Sequence, residues 1–357
     1  MGRLDNPELF ELDSLDMLGT LAASAETIAG ARGAAAKLDL PFPNSAIKNV
    51  AICGMGGSGI AGDLITSAYA DRLRCPVQSL RNYYLPGWVG EDTLVILVSY
   101  SGETEETLTA AMQALDRGCL AVGITTGGKL GSAYPARGLP VVTVPAGLQP
   151  RAALLHLLIP LLEILARCEV LPDVCADLDE AEQIARQAAE NYGPSVPDSH
   201  NGAKQLAEAL EGSLPVIWGA EMTAAIAQRW KGQINENAKS PAYWAVLPEA
   251  NHNEIVGFQQ MGEIGPLTTI VMLRDPRQHR QVQRRFDLTR ELIEPGVRRV
   301  VAAEAEGETT LGRALDLVLL GDYLSIYLAC LRGVDSGPVE LISQLKERLA
   351  ATGRSPA

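Results

Sequence analysis

Two apolar runs, Val50-Ala-Ile-Cys53 and Thr93-Leu-Val-Ile-Leu-Val98, each break into a turn of small residues before a helical pattern begins. The first turn reads Gly54-Met-Gly-Gly-Ser-Gly-Ile-Ala-Gly62, the second Ser99-Tyr-Ser-Gly-Glu-Thr-Glu-Glu-Thr107. A short, wholly apolar run that leads into a helix reads as a strand of a parallel sheet, buried on both faces. Parallel neighbours need a crossover between them, so this pattern limits the chain to an α/β architecture. It limits the chemistry too. A strand-to-helix turn aims free backbone N–H groups, and the positive end of a helix dipole, at one point. Glycines let the backbone approach an anion, and Ser or Thr hydroxyls add donors. Together the two turns predict a site for one phosphate held between them.

The alternation continues along the chain. Strand patterns at 48–53, near 77–80, and at 93–98, 119–124 and 140–144 are interleaved with helical patterns from Ser58 and over 104–116. A long helical pattern follows from Arg151 to about Cys168, and acidic helical sequence reaches about Asn191. At 357 residues the chain exceeds what one core usually fills, so two domains are expected. The second half repeats the first faintly: Ile52-Cys-Gly54 corresponds to Ile217-Trp-Gly219, and Thr93-Leu-Val-Ile-Leu97 to Thr269-Ile-Val-Met-Leu273. Its turns have lost the phosphate chemistry, reading Ala-Glu-Met-Thr after Gly219 instead of Met-Gly-Gly-Ser, and Arg274-Asp-Pro-Arg277 after the later strand instead of Ser-Tyr-Ser-Gly. The expected organisation is a helical segment over 1–45 packed on a first domain of 46–190, a turn-rich linker at 191–202, and a second domain over 203–357. One phosphate site is expected, in the first domain.

Other classes fit poorly. The net charge is −13 with Lys and Arg scattered, which offers no basic face for nucleic acid. Six cysteines form no Cys-x-x-Cys pair and no Cys/His cluster, as in a reduced cytoplasmic protein. No basic segment followed by an apolar one opens the chain, and the most apolar stretch, 152–166, is shorter than the roughly 20 residues of a membrane span. Gly54-x-Gly56-x-x-Gly59 also fits a dinucleotide fingerprint. That reading wants an acid about 20 residues on, and the chain has Arg81-Asn-Tyr there.

Gly56-Gly-Ser-Gly59 with Ser99-Tyr-Ser-Gly-Glu-Thr104 resembles the sugar isomerase (SIS) fold, whose two turns cradle a phosphosugar's phosphate. Gln233-Ile-Asn-Glu-Asn-Ala-Lys239 and Glu249-Ala-Asn-His-Asn-Glu254 are similar to the bifunctional phosphoglucose/phosphomannose isomerases of archaea and some bacteria. The resemblance implies two SIS-type three-layer α-β-α sandwich domains with mainly parallel sheets. It implies a cofactor-free, metal-free isomerase interconverting glucose 6-phosphate, and mannose 6-phosphate, with fructose 6-phosphate through a cis-enediol. By similarity, Glu236 is the C1/C2 base, His252 opens the ring with help from Lys346, and Arg151 holds the enediolate oxygen. Gly56, Gly57, Ser58, Ser99, Ser101 and Thr104 bind the phosphate. His252 comes from the neighbouring subunit in the family, which implies a homodimer.

Residue type alone leaves other readings open. Glu236 fits an exposed carboxylate, His252 a surface histidine, Lys346 a solvated lysine in a helix of mixed charge, and Arg151 a surface salt bridge. Ser58 and Thr104 fit helix caps. A non-catalytic phosphosugar-sensing module, or an isomerase of another phosphosugar, also fits the turns. One departure stands out: the family tends to Asp-Pro-Thr-Pro-Val-Glu where this chain has Asp335-Ser-Gly-Pro-Val-Glu340. Gly337 lacks the threonine hydroxyl associated with accepting both C2 epimers, so glucose 6-phosphate is the firmer expectation.

Overall fold

The computed structural model describes residues 2–351. Two short helices, α1 (Met17–Ala22) and α2 (Ser24–Ala31), precede the first sheet. Then come β1 (Asn49–Cys53), α3 (Gly56–Ala68), β2 (Val77–Leu80), β3 (Thr93–Val98), α4 (Glu105–Asp116), β4 (Leu120–Thr125), α5 (Gly128–Ser132) and β5 (Val141–Thr143). Helices α6 (Leu154–Arg167), α7 (Cys175–Tyr192) and α8 (Gly202–Leu210) lead to the second sheet. There follow β6 (Leu214–Ala220), α9 (Met222–Asn237), β7 (Tyr243–Leu247), β8 (Thr268–Arg274), α10 (Arg280–Ile293), β9 (Arg299–Glu304), α11 (Thr310–Leu331) and α12 (Glu340–Ala351).

Both sheets are parallel throughout, in the orders β2-β1-β3-β4-β5 and β7-β6-β8-β9. The repeat suspected from the sequence is therefore a repeat of topology. β1 pairs β3 with Ile52 opposite Ile96, and β6 pairs β8 with Ile217 opposite Val271. Helices cover both faces of each sheet. Ile52, Ile96 and Ile124 face a large inner cluster with α3, α6, α9 and α11, which also takes in Ile217 and Leu273 from the second sheet. Ala51, Val95 and Leu97 face α4 and α5 on the outside, while Trp218, Ile270 and Met272 face α10. Burial on both faces is why all six residues of β3 are apolar or uncharged and enclosed.

The most enclosed helix is α11, buried along nearly its whole length. It is long and apolar enough to cross a membrane, yet it lies wholly inside the fold. The 152–166 stretch singled out from the sequence becomes α6, also buried.

Residues 191–202 are not a loose connection. They curl around buried Lys204, whose Nζ donates to the carbonyls of Pro194 (2.9 Å), Val196 (2.8 Å) and Leu4 (2.8 Å). The N-terminal segment accordingly reaches beyond the first half. Leu4 N–H donates to Asp198 at 3.1 Å, and the Phe10 ring packs at a tilt against Tyr327 of α11, with centroids 5.8 Å apart. A buried ammonium needs partners from whatever chain lies nearby, and carbonyls from two distant segments supply them.

In each sheet the crossover helices leave the central strand pair toward opposite faces. α3 follows β1 on the inner side and α4 follows β3 on the outer side. Such a switch point leaves a crevice at the carboxyl ends of the strands, where ligands bind in open α/β sheets.

Candidate active site

The turns after β1 and β3 meet at the first switch point. Tyr100 N–H donates to Ser58 Oγ at 3.2 Å, joining residues 42 positions apart. Ser99 Oγ donates to Thr104 Oγ1 at 2.9 Å and accepts from Gly102 N–H at 3.1 Å. Ser101 is exposed, with its hydroxyl accepting from Glu103 N–H at 3.2 Å. Neither α3 nor α4 has its first turn capped by a side chain, so the N–H groups of two helix starts remain available beside these hydroxyls.

The loop at Arg151 lies directly on the start of α3. A Cβ at Gly57 would sit 2.6 Å from the Pro150 carbonyl oxygen and 3.0 Å from Arg151 Cα, so only glycine permits this approach. The result is a cavity of about 170 Å³ lined by Gly56 and Gly57, by Arg151, and by one face of α9 that includes Gln233 and Glu236. Four residues proposed from three separate stretches of sequence thus share one wall.

Arg151 is 3% exposed. Its Nε donates to Asn237 Oδ1 at 2.6 Å, and one terminal nitrogen, Nη2, donates to the carbonyls of Ser336 (2.6 Å) and Gly337 (2.7 Å). The other, Nη1, has only longer contacts: Gln149 Oε1 at 3.5 Å and Glu236 Oε2 at 3.7 Å. Three of the five guanidinium N–H donors are therefore fixed, and Nη1 is the end left to face a ligand. Burial pulls the Arg151 guanidinium below its ordinary pKa, opposed by the carboxylates of Glu236, Asp13 and Asp335.

A buried network behind this wall holds it in place. Arg229 donates to both Asp322 oxygens, at 3.0 and 2.6 Å, and to the Arg151 carbonyl at 3.1 Å. Gln233 Nε2 donates to Asp322 at 2.9 Å, and Asn237 Nδ2 donates to Ser325 Oγ at 2.8 Å. Burial raises the Asp322 pKa, while Arg229 and Gln233 favour its ionised form. Asp322 was missed in the sequence, although a carboxylate inside the apolar run of α11 was a readable sign of a buried partner. Gln233 and Asn237 stood inside a motif quoted for Glu236 alone.

His252 and Lys346 stand apart from the cavity. His252 ends a short 3-10 turn, Glu249–His252, and is exposed; Lys346 is exposed on α12. Neither side chain makes a hydrogen bond or ion pair among the described residues. In the 335–340 stretch that departs from the family, the Ser336 hydroxyl donates to Asp13 Oδ1 at 2.6 Å. A Cβ at Gly337 would lie 2.7 Å from Leu15 Cγ, so the N-terminal segment occupies the room a larger residue needs. Arg81, where a dinucleotide fold would place its acid, is paired with Asp63 of α3. Among the described residues no group of three His, Cys, Asp or Glu side chains is placed to hold a metal ion.

Residues 199–349 match the model of the bacterial phospho-glucose isomerase C-terminal SIS domain. The bifunctional phosphoglucose/phosphomannose isomerase of Caldicellulosiruptor bescii is 44% identical over 305 residues, covering 85% of this chain and 90% of that protein. The enzyme of the same name from Aquifex aeolicus is 37% identical over 303 residues, with coverage of 85% and 90%. Among solved structures, a glucose-6-phosphate isomerase like protein from Thermus thermophilus superposes with a TM-score of 0.65 at 21% identity, covering 97% of this chain and 99% of that one.

Proposed function

The chain belongs to the bifunctional phosphoglucose/phosphomannose isomerases, and on that premise we propose how its own residues carry the reaction. It is an aldose–ketose isomerase that interconverts glucose 6-phosphate and mannose 6-phosphate with fructose 6-phosphate. The observation that carries the residue-level reading is the single cavity in which Gly56, Gly57, Arg151 and Glu236 meet.

The phosphate lies between the starts of α3 and α4, held by backbone N–H groups and the hydroxyls of Ser58, Ser99, Ser101 and Thr104. It is remote from the bonds that change, so its binding energy serves to position the other end of the sugar. In the open aldose, the Glu236 carboxylate takes the proton from C2. The C1–C2 double bond forms, and the carbonyl oxygen gains negative charge. Arg151 Nη1, the uncommitted end of a fixed guanidinium, faces that oxygen and stabilises it. The resulting carboxylic acid returns the proton to C1 while the remaining hydroxyl proton passes from O2 to O1, giving the ketose. One positioned base of this kind contributes about 10²- to 10⁴-fold in rate.

His252 and Lys346 open the ring, and His252 reaches the cavity from a second copy of the chain. Exposed apolar side chains support a homodimer: Val256, Ile264 and Leu267 after His252, Leu288 and Leu292 on α10, and Leu341, Ile342 and Leu345 on α12. Rows of leucine at helical spacing on solvent-facing helices suit a self-complementary interface.

The test is a coupled assay following fructose 6-phosphate from each aldose. Glu236→Gln should lose about 10²- to 10⁴-fold in kcat with little change in KM. A wild type inactive on both aldoses overturns the reading, and full activity in Glu236→Gln overturns the base. Mixing Glu236→Gln with His252→Ala subunits tests the shared site. After exchange, half of the dimers carry one intact site, so about a quarter of wild-type activity returns. No recovery places His252 in its own subunit's site.

A further inference from the structure

The site as assigned leaves Lys239 without a part, although it lies three residues from Glu236. It sits just past the end of α9 with a φ of 51°. Helices commonly place glycine there, because a side chain in the left-handed region crowds its own backbone. The strain is met by what the side chain does. Lys239 Nζ donates to the Glu236 carbonyl at 2.6 Å and to the Ser336 carbonyl at 3.3 Å. The Ser336 carbonyl also accepts from Arg151 Nη2 at 2.6 Å. Two cations thus share one acceptor, drawing the end of α9, the Arg151 loop and the 335–337 turn together.

Placing these like charges side by side carries a cost. Burial, and then the neighbouring Arg151, lower the Lys239 pKa from its ordinary value, while Asp335, Glu340 and Glu236 oppose the shift. The return is geometric. Glu236 is held through its own carbonyl by Lys239, through the adjoining Asn237 side chain by Arg151, and through its carboxylate, 3.7 Å from Arg151 Nη1. Only the first of these hold points acts on the Glu236 backbone itself from a side chain.

We propose that Lys239 is a positioning residue of the isomerase site, tying the last turn of α9 to the 335–337 turn so that the Glu236 carboxylate meets the sugar at C1 and C2. This rests on Glu236 being the base. Proton transfer tolerates little displacement, and a shift of about 1 Å costs on the order of 10²-fold in rate. The phosphate turns lie on other elements and are untouched by the change.

Lys239→Gly separates this role from a merely structural one, because glycine relieves the left-handed backbone. The expected result is a urea midpoint equal to or above that of wild type, with kcat reduced about 10- to 100-fold. KM for fructose 6-phosphate and inhibition by inorganic phosphate should stay within about twofold. Lys239→Met, which keeps the stem and removes the donor, should lose kcat similarly. Lys239→Arg, which keeps donors for both carbonyls, should recover most of it. Glu236→Gln runs alongside. Full activity in Lys239→Gly beside an inactive Glu236→Gln overturns the positioning role alone, as does a loss of kcat matched by an equal rise in the inhibition constant for phosphate. Full activity in Glu236→Gln, or a wild type without turnover, overturns the underlying reading and this inference with it.

Discussion

The two switch points of this molecule share a topology and differ in what fills them. Where β1 meets β3, the turns bring together glycines and short hydroxyl side chains, and the first turns of α3 and α4 carry no side-chain cap. Where β6 meets β8, longer side chains close the same space. The Glu221 carboxylate accepts the His279 N–H at 3.3 and 3.4 Å, and Thr223 Oγ1 donates to the Leu273 carbonyl at 3.0 Å. Gln278 Nε2 donates to the Ala220 carbonyl at 3.0 Å, and Arg313 Nε fixes Asp275 at 2.9 Å. His279 Nδ1 accepts from Gln281 N–H at 3.1 Å and so caps α10. The topology supplies donors at both places. The start of α9, like those of α3 and α4, carries no side-chain cap, so the difference lies in the Glu221 carboxylate that takes up the His279 N–H ahead of α10.

Beyond the loss of the base in Glu236→Gln, the largest effect should come from moving the second device into the first switch point. Ser101→Glu places a carboxylate beside the start of α4, where it competes for the donors proposed to hold phosphate. Losing one charge-assisted hydrogen bond costs about 1.5–3 kcal/mol, so KM for glucose 6-phosphate should rise about 10- to 100-fold. The thermal midpoint should hold or rise slightly, since a carboxylate suits a helix start. Steady-state kinetics with differential scanning fluorimetry decides it, and an unchanged KM would mean that the two turns do not hold the phosphate.

The converse change belongs to stability. At Gly219 a Cβ would lie 2.3 Å from the Thr223 carbonyl oxygen and 2.7 Å from its carbon. Gly219→Ala should cost about 1–3 kcal/mol in urea unfolding while leaving KM of the folded enzyme alone. A raised KM would bring the second switch point into the substrate site and end the contrast.

How far the sequence revealed these features depended on the reach of each interaction. The strands around both turns were legible because burial on two faces writes a continuous apolar run, and the repeat was legible because topology copies that run. The closure at Glu221 was half legible: the loss of the glycine-rich turn showed, but not the His279 N–H that the carboxylate would find 58 residues on. Lys204, Asp322 and Lys239 were missed for the same reason, since each is defined by carbonyls or charges brought in by other elements. Arg151 and Glu236 came from family likeness alone; nothing local to either predicts that they stand 3.7 Å apart. At 191–202 the turn residues were legible but the packing around Lys204 was not, because glycines and prolines mark a tight corner and a loose linker alike.

The finest test of the contrast is at Glu221 itself. Its backbone stands at φ 51° and ψ −124°, a conformation natural only to glycine. The side chain gains just two long contacts to one N–H. Glu221→Ala removes the acceptor and keeps the strain, so it should lose about 1 kcal/mol in urea unfolding. Glu221→Gly removes the acceptor but releases the strain, and should exceed the alanine variant by about 1 kcal/mol. Neither should move KM by more than about twofold, because the proposed phosphate site lies at the other switch point. Equal stability of the two variants would show that the backbone there is relaxed and that the carboxylate alone holds the turn. The second switch point would then differ from the first only by charge, with no conformational cost to the substitution of glutamate for glycine.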